Sequence, residues 1–381
     1  MDPLTHAASG AAAMLAMPRR PSTRWAVPLA ALAAAFPDVD MLFANSPLNL
    51  LLLHRGITHS LFFAPLLGLL LALAARPLQS HGTPGRWKLR TVWLFMTCMV
   101  LLHIWLDCIT TYGTMIFLPF SSLRVRLNAV FIIDFLLTLP LLWAIWRWRA
   151  RRTLLLLVLA WLFVYPAFSI AINAHHEARA TARLAAQGRD VSRVVILPDA
   201  LAPFYWRALY AENTSAGLRV HTQGLDMLGR PHSPEATDTG LSPHCEKSLA
   251  GQSVTAGAFL EFTLLPVVSP LEEGLEPPPD TGVPLAADTS SVLRYTKISD
   301  QRFGSNLKFV RKIMAARAGS EVPFALLTET AFAQGHADAD GQCGRLVREA
   351  LHFPNHAAVP RWQPPQPPSE PALWRWLVGL R

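Results

Sequence analysis

The sequence predicts a mainly α-helical fold: a polytopic transmembrane helical bundle followed by an extramembrane, β-rich α+β domain. Three observations carry this. Of 381 residues, 51% are hydrophobic and only 16% are charged, against roughly 25% charge in an ordinary soluble domain. Apolar stretches at or near the length of a membrane span recur up to residue 172. Beyond residue 174 the pattern changes to short β-like runs broken by proline, with acids and bases nearly balanced.

The elements follow in order. Residues 4–17 predict a short helix of small residues, ended by Met17-Pro18-Arg19-Arg20-Pro21. Residues 25–36 are apolar and run into Phe36-Pro37-Asp38-Val39-Asp40. Neither reaches the roughly 20 apolar residues that a helix needs to span alone, so each is expected half-inserted, tilted or packed inside the bundle. Residues 60–75, 91–111, 128–146 and 153–172 are the stronger spans. A polar helix over 174–187 then leads to strand-like runs at 192–197, 204–210 and 218–221. This divides the chain into a transmembrane domain (1–174), an extramembrane domain (175–360), and a Pro-rich tail (361–381) ending in a short amphipathic helix at 372–380. The N-terminus lacks the basic and apolar regions of a cleavable signal peptide, so the first helices are expected to direct insertion.

Charge sets the expected topology. Residues 1–174 hold five acids (Asp2, Asp38, Asp40, Asp107 and Asp134) and fourteen Lys or Arg. Three basic loops, at 19–24, 76–90 and 147–152, fall on one side when the spans alternate, and that side is expected to be cytoplasmic. Arg124 and Arg126 stand against this count on the opposite side. The alternation places residues 174–381 in a bacterial periplasm, where Cys245 and Cys343 can pair. No CxxC or Cys/His zinc pattern occurs, and Cys98 and Cys108 read as small core residues. The net charge of +8 arises from the membrane half, and no basic face for nucleic acid is visible.

The same alternation gathers four of the five acids and four histidines at the outer side. His103 and Asp107 are four apart on an apolar helix and share a face. Ionisable groups there are costly and tend to mark function. In His54-Arg55-Gly56-Ile57-Thr58-His59-Ser60, Gly56 permits a turn that folds His54 beside His59, and Thr58 or Ser60 can cap the next helix. Arg55 is a planar cation suited to phosphate. Asp38, Asp40 and His6 complete a candidate ligand set of His6, Asp38, Asp40, His54, His59, His103 and Asp107, with Thr58 and Asp134 as supporting groups. Mixed His/Asp shells suit zinc, with manganese or iron as alternatives, and seven ligands suffice for one or two ions. The blander readings are helix caps for Asp38 and Asp40, snorkelling for Arg55, a bridge from Asp134 to Arg124 or Arg126, and a hydrogen-bonded His103–Asp107 pair. His175-His176-Glu177 reads as exposed helix.

The segments Asp2-Pro-Leu-Thr-His6, Phe36-Pro-Asp-Val-Asp40, His54-Arg-Gly-Ile-Thr-His-Ser60 and His103-Ile-Trp-Leu-Asp107-Cys-Ile-Thr-Thr-Tyr-Gly113 resemble the YdjM/YbcI-like family of membrane-bound, predicted metal-dependent hydrolases. The resemblance covers about residues 2–175, and beyond them only Pro203-Phe-Tyr-Trp-Arg207. It is joined by a more distant likeness to the helices of zinc-dependent phospholipase C enzymes. That likeness implies His6, Asp38 or Asp40, His59, His103 and Asp107 as ligands. The second His/Glu set of a three-metal cluster is missing from this sequence.

The expected function is therefore hydrolysis of an ester or phosphoester, with a lipid as the natural substrate at the periplasmic face of the inner membrane. Asp38 or Asp40 would serve as general base and Arg55 would bind phosphate. The rival expectations are a transporter or proton relay using the same cluster, and a non-catalytic scaffold with a structural metal.

Overall fold

The computed structural model describes residues 1–79, 85–278, 291–312, 324–333, 343–353 and 360–368. The amphipathic helix expected at 372–380 lies outside these residues.

The chain starts with α1 (Pro3–Ala16), capped by Asp2, whose carboxylate accepts the Thr5 N–H, and opened by Pro3, whose missing N–H costs nothing at a first turn. Of the three options open for this segment, the structure takes internal packing. Eleven of the fourteen residues of α1 are buried, and its closest neighbour is α2 (Ala26–Ala35). Small side chains make this possible. A Cβ on Gly10 would lie 2.3 Å from the Ala30 carbonyl oxygen, so the two backbones touch as they do in small-residue membrane interfaces.

A 3-10 helix, Phe36–Phe43, extends α2 into an 18-residue apolar stretch. Next come α3 (Pro47–Leu53) and α4 (Ala64–Ala74); the stretch Pro47–His59 is bent against α4 by 79° at the break that follows His59. The break leaves a turn where the sequence had suggested a span over 60–75, and the turn delivers His54, Arg55 and His59 inward. Helix α5 (Leu89–Cys108) is straight and long enough to cross a bilayer. The span expected over 128–146 is shorter, because α6 (Phe135–Arg147) begins only after Asp134 caps it through the Leu136 and Leu137 N–H groups.

Helix α7 (Arg152–Ala186) runs unbroken for 35 residues. The expected span and the polar helix after it are one rod that leaves the bundle and carries the second half of the chain. Among the described residues, three helices are long and apolar enough to span, or four if the bent pair counts as one.

The basic loops converge at one end. Arg152 Nε donates to the Ala16 carbonyl at 3.0 Å, Trp87 Nε1 to Arg19 O at 2.6 Å, and Ser22 N to Gly85 O at 2.9 Å.

Past α7, eight antiparallel strands follow each other in chain order, from β1 (Val191–Pro198), β2 (Tyr205–Thr214) and β3 (Gly217–Asp226) through β4 (Ala236–Gly240), β5 (Pro266–Pro270), β6 (Ser291–Asp300) and β7 (Ala325–Ala333) to β8 (Arg345–His352). The runs at 192–197, 204–210 and 218–221 are the first three of these. Helices α8 (Pro243–Gln252) and α9 (Val254–Phe262) interrupt the meander after β4. Cys245 and Cys343 form a disulfide that ties α8 to the start of β8 across 98 residues of sequence. The first residues of the Pro-rich tail are held: Gln363 exchanges both backbone hydrogen bonds with Glu349, at 2.9 Å each.

The two halves share a core. Leu50, Leu51 and Tyr112 of the helical half pack with Phe259, Phe262, Phe303 and Leu326 of the other. Arg302 locks this contact. It is buried, ion-paired with Asp300, and donates to the carbonyls of Phe262 (2.6 Å), Thr111 (3.2 Å) and Tyr112 (3.4 Å). Arg124 is absorbed in the same contact, donating to Leu51 O with its guanidinium 5.4 Å from the Phe262 ring. Its charge, which ran against the topology count, is thus committed to docking.

Candidate metal centre

Four side chains from three segments aim one donor atom each at a common point. Asp38 comes from the 3-10 extension of α2, His59 from the turn between α3 and α4, and His103 with Asp107 from successive turns of α5. His59, His103 and Asp107 are fully buried, while the Asp38 side chain is 16% exposed and forms the way in.

The spacing is that of a coordination shell. His59 Nε2 lies 2.9 Å from His103 Nε2 and 3.1 Å from Asp107 Oδ2. His103 Nε2 to Asp107 Oδ2 is 3.4 Å, and Asp38 Oδ1 is 3.5 Å from both histidine nitrogens. An ion about 2.0–2.1 Å from each of four tetrahedral donors would separate them by about 3.3–3.4 Å.

The hydrogen-bond network fixes the tautomers. His103 Nδ1 faces the Ala34 carbonyl at 2.7 Å and must donate to it. Thr58 Oγ1 spends its hydrogen on Asp40 Oδ2 at 3.0 Å, so it accepts from His59 Nδ1 at 2.9 Å. Neutral imidazoles so anchored turn two bare Nε2 lone pairs towards each other. Asp107 Oδ2, buried and without a hydrogen-bond donor, faces both. Two lone pairs and a carboxylate oxygen brought this close on fully buried side chains call for a cation among them. Two imidazoles and two carboxylates make a donor set that suits zinc, and anchoring the far ring nitrogen is how proteins orient metal-binding histidines.

Asp40 sits behind this shell. Its Oδ1 pairs with His54 Nδ1 at 2.9 Å, and its Oδ2 accepts from the Arg55 backbone N–H (3.0 Å) and from Thr58, with His59 Nδ1 3.3 Å away. It pins the turn, including Arg55, whose φ of +59° is uncommon for a residue with a side chain. Gly56 is required beside it, because a Cβ there would meet the Leu53 carbonyl oxygen at 2.7 Å. Asp38, Asp40 and His54 also form a second group of convergent donors, in which Asp38 is the shared member. Asp40→Asn is expected to weaken metal affinity about 10- to 100-fold, the usual cost of losing such a support. Chelator competition on purified protein measures this, and an unchanged affinity would mean that the fold alone holds His59.

The remaining sequence candidates are distributed as follows. Arg55 reaches Asp107 Oδ1 with Nη2 (3.0 Å) and Thr110 Oγ1 with Nη1 (2.9 Å), over the Tyr112 ring at 4.7 Å. Its two terminal nitrogens hold Asp107 in place. The Met1 amino group also contacts Asp107 Oδ1. His6 stacks on His103 with ring centres 3.7 Å apart, and its Nε2 is 3.3 Å from Asp107 Oδ1, yet it belongs to neither donor group and neither ring nitrogen has a hydrogen bond. Asp134 is spent on the cap of α6 and on Tyr165, whose hydroxyl donates to it at 3.0 Å. Thr110 and Tyr112 carried no sequence signal beyond their place after His103-x3-Asp107. The Ala34 carbonyl, being backbone, had none.

Residues 1–176 match the family model described as YdjM inner membrane protein. No curated protein and no solved structure matches the chain.

Proposed function

Taking residues 1–176 as a member of the YdjM inner membrane protein family, we propose that the chain is a membrane-bound, metal-dependent hydrolase of an ester or phosphoester. The observation that supports this most is the set of four donor atoms at coordination spacing, three of them on fully buried residues. Asp38, His59, His103 and Asp107 would hold a divalent cation, which would supply Lewis acidity for ester cleavage.

The protein's own groups do the rest. His59 and His103 are held at Nδ1 by Thr58 and Ala34, so that in the neutral rings the Nε2 lone pairs face the cluster. Asp107 is held by Arg55. In this reading Asp38, the most exposed of the four, turns Oδ1 to the cluster and takes a proton from an attacking water on its other oxygen. Arg55 then acts as the positioning residue of Asp107, a role different from the phosphate clamp that its chemistry alone suggests.

The reading includes a multi-pass topology with the basic loops in the cytoplasm and the sheet domain in the periplasm. The Cys245–Cys343 disulfide suits that compartment.

Turnover of phosphodiester, phosphomonoester and carboxylester probes by detergent-purified protein tests the proposal. Activity is expected to vanish after chelation, return with zinc or manganese, and be absent in His103→Ala. Metal-loaded protein without turnover would favour the structural-metal scaffold.

The 2.9 Å contact of the two Nε2 atoms also fits a shared proton, which keeps a proton relay as the second reading. Metal-free protein that carries protons in proteoliposomes would establish it.

A further inference from the structure

Beside the donor cluster lies a groove of about 230 Å³, smaller than the roughly 300 Å³ at which pockets begin to enclose drug-sized molecules. Val39, Phe43, Leu52, Leu53, Gly56 and Ile57 make its apolar walls. Its remaining lining residues are Asp40 and Thr58, and both touch His59. An occupant of this groove that touches Asp40 or Thr58 is a single residue away from the donor cluster, and its other contacts are apolar.

The surroundings say where the groove opens. Phe43 is itself 67% exposed, and the preceding Met41 and Leu42 are exposed as well. Phe62 and Phe120, which follow the His54–His59 turn and the cis-proline loop, also stand exposed, with ring centres 4.7 Å apart. Large apolar side chains exposed in a run, Met41, Leu42 and Phe43, have their natural neighbour in the bilayer. An occupant entering from there is apolar over most of its length and polar at one end.

We propose that this groove holds one acyl chain of a membrane lipid and so brings that lipid's headgroup ester to Asp38, His59, His103 and Asp107. The binding clause stands on the groove alone; the second clause rests on the hydrolase reading.

The test uses full-length protein in nanodiscs of phosphatidylethanolamine and phosphatidylglycerol, doped with a phosphatidylglycerol that carries a photoreactive diazirine halfway along one acyl chain. Adducts mapped by mass spectrometry on Leu52, Leu53 and Ile57 are expected to exceed those on the lipid-facing Leu66 and Leu70 about tenfold, the ratio that a preference of about 1.4 kcal/mol produces. Ile57→Trp and Leu53→Trp fill the groove from two sides. Each is expected to bring these adducts down to the level at Leu66 while metal content stays at the wild-type value, and that metal content certifies the fold of each variant.

Wild-type adducts no more frequent in the groove than at Leu66 and Leu70 would overturn the proposal. So would adducts that both tryptophan variants leave unchanged. His59→Ala separates the two readings: its groove adducts are expected to persist although the donor cluster is broken. Groove adducts in a protein that turns over no ester would leave the lipid site standing and remove the hydrolase. Lipid turnover that both tryptophan variants preserve would do the reverse.

Discussion

Asp107→Ala protein is expected to purify without metal and to unfold well below the wild type. Two losses coincide at this residue. Asp107 Oδ2 is one of the four converging donors, 3.1 Å from His59 Nε2 and 3.4 Å from His103 Nε2. Its Oδ1 is the carboxylate partner of Arg55, whose side chain is buried. Removing one member of a buried ion pair strands the other, at a cost of about 3–5 kcal/mol. Elemental analysis reads the first loss, and thermal or denaturant unfolding in detergent reads the second. Asp107→Asn separates them, because it keeps an oxygen facing Arg55 but carries no charge for a cation. It is expected to lose the metal while unfolding between the wild type and the alanine variant. Stoichiometric metal in Asp107→Ala would remove Asp107 from the ligand set.

Arg302→Met is expected to destabilise the protein by a similar amount, about 3–5 kcal/mol, although it lies far from the donors in sequence. Asp300 would be left buried without its guanidinium, and the carbonyls of Phe262, Thr111 and Tyr112 would lose their donor. The effect should also travel. Tyr112 packs against Phe262 on one side, with ring centres 5.0 Å apart, and lies under Arg55 on the other. Cobalt-substituted protein provides the readout, since its visible absorption follows the geometry of the shell. A spectrum that changes in Arg302→Met and recovers in Arg302→Lys, which restores a cation for Asp300, is the expected result. A destabilised protein with an unchanged spectrum would confine Arg302 to holding the two halves together.

Much of the site was legible because membrane burial makes polar residues conspicuous. His103 and Asp107 stood four apart in an apolar helix, and the structure places both at one point. His59 and Asp38 were legible from short motifs where apolar segments end. The tasks of neighbouring residues were not legible. Asp38 and Asp40 look equivalent in sequence, yet the first faces the cluster and the second is consumed by His54, Arg55 and Thr58. Both carboxylates lie on one 3-10 helix, and which of them meets the cluster is decided by the partners that the following turn brings to Asp40.

The strands were visible as β-like runs, but their eight-strand order depends on hairpin registers between distant residues, which composition does not encode. The long reach of α7 was hidden by the change of polarity along it, since hydropathy reports the solvent around a helix and not where the helix stops.

The family match ends at residue 176, while the core that encloses Tyr112 continues through Phe259, Phe262, Phe303 and Leu326. The end of the family match and the boundary of packing therefore do not coincide. A relative with a different C-terminal part would need some other cover for the outer face of Tyr112, or a different residue in its place. Grafting the sheet domain of this chain onto such a relative would fail unless Leu50, Leu51, Tyr112 and Arg124 travelled with it.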